Sequence, residues 1–62
     1  MNLKLNIENI DETQAQALAQ LVKRIGWADI RVNAANDGEA YQMTTAVSKL
    51  QDALARQGYS PR

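Results

Sequence analysis

The sequence predicts an α+β fold, one N-terminal strand followed by two main helices with a short helical turn between them. Three observations predict it. Residues 2–7 read Asn-Leu-Lys-Leu-Asn-Ile, a strict polar–apolar alternation with the period of a half-buried strand. Leu18, Leu21, Val22 and Ile25 fall at i, i+3, i+4 and i+7, one apolar helix face. Ala40, Met43, Val47, Leu50 and Leu54 advance by alternating threes and fours, a stripe along what reads as the longest helix. The expected elements of this single domain, 1–62, are a strand over 2–7, a helix over 12–25, a short turn or helix over 29–35 and a helix over 38–57.

In the strand, Leu3, Leu5 and Ile7 point one way and Asn2, Lys4 and Asn6 the other. The first helix starts at Asp11, a good N-cap, with Gln14 at capping-box spacing and Glu12 in the first turn. Ala15, Ala17 and Ala19 raise its helix propensity. Lys23 and Arg24 suit its negative end. Gly26 then reads as the left-handed C′ residue, placing Trp27 at C″ against Val22. Residues 27–36 admit two readings. Ile30 and Val32 flank Arg31 as a short strand would, whereas Ala34 and Ala35 favour a helical turn, the preferred reading. The last helix starts near Asn36 or Asp37, with Glu39 at capping-box spacing from Asn36. It stops at Gly58, with Tyr59 at C″ against Leu54 and Pro61 barring continuation.

A lone strand leaves its backbone donors and acceptors unpaired. Residues 30–32 could pair with it inside the chain, or an identical strand from a second copy could. The homodimer is the favoured solution. A 62-residue chain buries only about 60% of its unfolded surface, and small folds lean on crosslinks, metals or partner chains. With no Cys and no His, disulfides and zinc-finger-type sites are excluded.

The same inventory argues against an enzyme, since an acid, base or nucleophile would have to come from Asp, Glu, Lys, Tyr or Ser/Thr. Asp29, Asp37 and Glu39 cluster loosely, but they read first as helix-start residues. No catalytic residue, metal site or cofactor is expected. Seven basic and seven acidic residues cancel, so the chain lacks the positive excess that drives counterion release on nucleic acid. DNA is thereby disfavoured as a partner. No apolar run approaches the roughly 18 residues of a membrane span and nothing resembles a signal peptide, which makes a cytoplasmic location the expectation. Candidate binding residues are Asn2, Lys4 and Asn6 on the outer face of the strand, Tyr41 with Arg31 as an interaction patch, and Trp27, read first as helix-end packing, since Trp, Tyr and Arg dominate binding hot spots.

The order strand, helix, helix resembles that of ribbon-helix-helix repressors, in which paired strands enter the DNA major groove. That resemblance implies Asn and Lys side chains reading base edges. It stops at topology. Those repressors join their helices by a short turn and hold a phosphate on the second helix, whereas here a longer connection intervenes and Asp37 and Glu39 would repel phosphate. The stretch Ala17-Leu18-Ala19-Gln20-Leu21-Val22-Lys23-Arg24-Ile25-Gly26-Trp27, with Glu39-Ala40-Tyr41-Gln42-Met43 and the ending Gly58-Tyr59-Ser60-Pro61-Arg62, resembles a family of small uncharacterised proteins from bacterial plasmids, phages and their relatives. This resemblance implies a mobile-element setting and supplies no catalytic residues. The function expected on these grounds is non-catalytic binding of a macromolecule. A host or phage protein complex is the first choice, as for an anti-CRISPR or other anti-defence inhibitor, and a ribbon-helix-helix-like DNA-binding regulator is the alternative.

Overall fold

Three helices account for the regular structure among the described residues, 1–59, of the computed structural model. They are α1 (Glu12–Arg24), α2 (Trp27–Asn33) and α3 (Asp37–Arg56). Both α1 and α2 pack on α3.

The long helices start as their cap residues dictate. The Asp11 carboxylate accepts from the Gln14 N–H at 2.7 Å, and the Gln14 side chain accepts from the Asp11 N–H at 3.0 Å, so two of the orphan donors of the first turn are satisfied reciprocally. At α3 the cap is Asn36, whose side chain accepts from the Glu39 N–H at 2.8 Å. The Glu39 carboxylate reaches one residue further back than a capping box requires and takes the Ala35 N–H at 2.8 Å. The end of α3 is a Schellman motif. Gly58 adopts φ 93°, its N–H donates to the Ala55 carbonyl, and the Tyr59 N–H donates to the Leu54 carbonyl at 2.9 Å. This is the C′ role expected of Gly58. Pro61, expected to bar continuation, lies outside the described residues.

Gly26 does something other than what its position suggests. It is extended, at φ −106° and ψ 176°, and serves as the N-cap of α2. Its N–H donates to the Asp29 carboxylate at 3.1 Å. Trp27 is therefore the first residue of a new helix and not the C″ residue of the old one. The short segment is helical, as preferred, and begins two residues earlier than expected. Seven residues form too short a helix to persist alone. Burial of Ile30 holds it down, together with an Arg31–Asp37 ion pair at 2.6 Å that ties its last turn to the first turn of α3.

The expected strand is absent. Residues 1–10 form no strand and are exposed throughout, and among the described residues there is no sheet. The fold is all-helical, not α+β, and a homodimer paired through strands loses its means of pairing. The physical reason lies in α2. Residues 30–32, the one partner available inside the chain, spend their backbone groups on helical hydrogen bonds, so the alternating segment has no ladder to join. It continues without regular structure to Asn9, where φ of 56°, a left-handed value that Asn tolerates, turns the chain toward the cap of α1.

The core is small and built largely from small residues. Ala15, Ala19, Val22, Ile30 and Ala40 are its buried side chains. The inward face of α1 is thus Ala15, Ala19 and Val22, spaced i, i+4 and i+7, while Leu18 and Ile25 are half-buried and Leu21 lies exposed. The face is rotated from the one that the large side chains mark. On α3, Ala40 is buried and Met43, Val47, Leu50 and Leu54 are half-buried, so the expected stripe does face the other helices. Beside it, Gln51 donates to the Val22 carbonyl at 2.8 Å, satisfying one of the carbonyls that the end of α1 leaves open.

Candidate protein-binding surface

At the junction of α2 and α3 two aromatic rings meet on the outside of the molecule. The Trp27 and Tyr41 centroids lie 5.0 Å apart at an interplanar angle of 41°, a tilted pairing within the range aromatic pairs prefer. Trp27 opens α2, and Tyr41 lies one step past Ala40, so burying Ala40 turns Tyr41 to the edge of the packed face. Trp27 remains 44% exposed and Tyr41 65%, so each ring shields part of the other and leaves the rest to solvent.

Arg31 stands one helical turn from Trp27, on the same side of α2. Its guanidinium donates through Nε to Asp37 at 2.6 Å and through Nη1 to the Ala34 carbonyl at 3.3 Å. The Asp37 side chain is mostly exposed, so the pair contributes little to stability, on the order of 0–1 kcal/mol. It does hold the guanidinium in one orientation. The structure thus brings Trp27, Arg31 and Tyr41 together on adjoining elements.

Asn2, Lys4 and Asn6 are not brought together in that way. They lie exposed on the irregular N-terminal segment, where Asn6 makes one long contact, to Glu8 at 3.4 Å. The two-stranded ribbon that would have presented them to a DNA groove is absent among the described residues. The acidic residues in the first turns of α2 and α3 have other work: Asp29 accepts from Gly26, Asp37 from Arg31 and Glu39 from Ala35. Among the described residues no cluster of three or more carboxylates is placed to hold a metal ion, and no helix is long and apolar enough to cross a membrane.

A second surface was not legible in the sequence. The N-terminal segment and the helices border an open groove of ≈ 670 Å³, lined by Leu3, Leu5 and Ile7 from the segment and by Leu18, Leu50 and Leu54 from α1 and α3. The alternation of residues 2–7 signals one apolar side but does not say that this side looks into a half-empty groove.

The model of a family of unknown function, DUF7706, matches residues 1–62. The chain belongs to the DUF7706 family. No curated protein and no solved structure matches it. Membership agrees with a small uncharacterised family, as the resemblance implied, and assigns this DUF7706 protein no activity.

Proposed function

We propose that this DUF7706 protein is a non-catalytic binding protein that engages another protein through Trp27 and Tyr41, with Arg31 beside them. The observation that carries this reading is the exposed ring pair, 5.0 Å between centroids, on two adjoining helices, with the Arg31 guanidinium oriented by Asp37 beside it. Large rigid rings with little conformational entropy to lose, next to an oriented guanidinium, are the composition of binding hot spots. The zero net charge speaks for a protein partner over a nucleic acid, whose phosphates reward positive excess.

Within that reading the target is a host defence complex, in line with the resemblance to small plasmid and phage proteins. The test is affinity capture from a bacterial host with wild type and with Tyr41→Ala. A ring this exposed carries little of the fold, so the variant keeps its helical circular dichroism. Loss of a central aromatic anchor costs about 2 kcal/mol or more of binding, so the captured complex drops by roughly thirtyfold in affinity. Equal capture by wild type and Tyr41→Ala contradicts the assignment of this surface. Unchanged plaque counts across a panel of defence systems contradict the assignment of the target.

A further inference from the structure

We draw no further inference here: the strongest candidate, the apolar groove that Leu3, Leu5 and Ile7 of the N-terminal segment form with Leu18, Leu50 and Leu54 of α1 and α3, is an unpartnered face, and nothing in the structure shows what covers it.

Discussion

Ile30→Ala is expected to leave most of the protein unfolded at room temperature. Ile30 is the largest of the five buried apolar side chains and the one that holds the seven-residue helix α2 down. Truncating a buried Ile, Leu or Met to Ala costs about 2–5 kcal/mol, transfer and cavity terms together. A single core of this size rarely supplies more than about 3–5 kcal/mol in all. The loss is thus comparable to the whole stability. Val32, two residues away on the same helix, is 84% exposed, and Val32→Ala is expected to change stability by less than about 0.5 kcal/mol. Urea titrations followed by circular dichroism on the two variants check the contrast. Equal midpoints would mean that α2 is not packed through Ile30.

Ala40→Leu is expected to be damaging by the opposite route. Ala40 has 0% of its surface exposed and lies in the first turns of α3, close to the cap on Asn36. A leucine gains helix propensity only trivially but needs room for three more carbons. Overpacking of this kind costs about 1–3 kcal/mol and displaces backbone. Tyr41 follows Ala40 in the chain, so a shift of the backbone there disturbs the Trp27–Tyr41 contact in the same step. The readouts are a lowered urea midpoint and a change in Trp27 fluorescence below the unfolding transition. A leucine accepted with neither change would show that space exists where Ala40 is buried.

What was legible in the sequence was local. Asp11 with Gln14, Asn36 with Glu39, and Gly58 each announce a helix end through contacts spanning a few residues, and each contact forms. The stripe on α3 was legible because one long helix repeats its signal over several turns. Gly26 was misread because a glycine after a helix is equally a C′ residue or the cap of the next helix. The choice rests on Asp29 turning back to the Gly26 N–H. Leu18, Val22 and Ile25 of the expected α1 face do turn inward, but Leu21 lies exposed, because close packing goes through Ala15 and Ala19, whose small side chains let another element approach.

Residues 2–7 show the limit most clearly. Alternation says that one side is apolar, but a strand also needs a neighbour, and α2 removes the one the chain could have offered. Of the candidate binding residues, Trp27, Arg31 and Tyr41 were named from residue type alone. Their juxtaposition depends on the α2–α3 junction, which no short spacing encodes. The groove was invisible for the same reason, since its sides come from opposite ends of the chain.

The central claim is that Trp27 and Tyr41, with Arg31 beside them, form a surface that binds another protein. The affinity of the captured partner for the wild type and for Tyr41→Ala, each checked by circular dichroism, tests it most directly. A loss of roughly thirtyfold with the helices intact is the expected result. Equal affinity for the two would contradict the account.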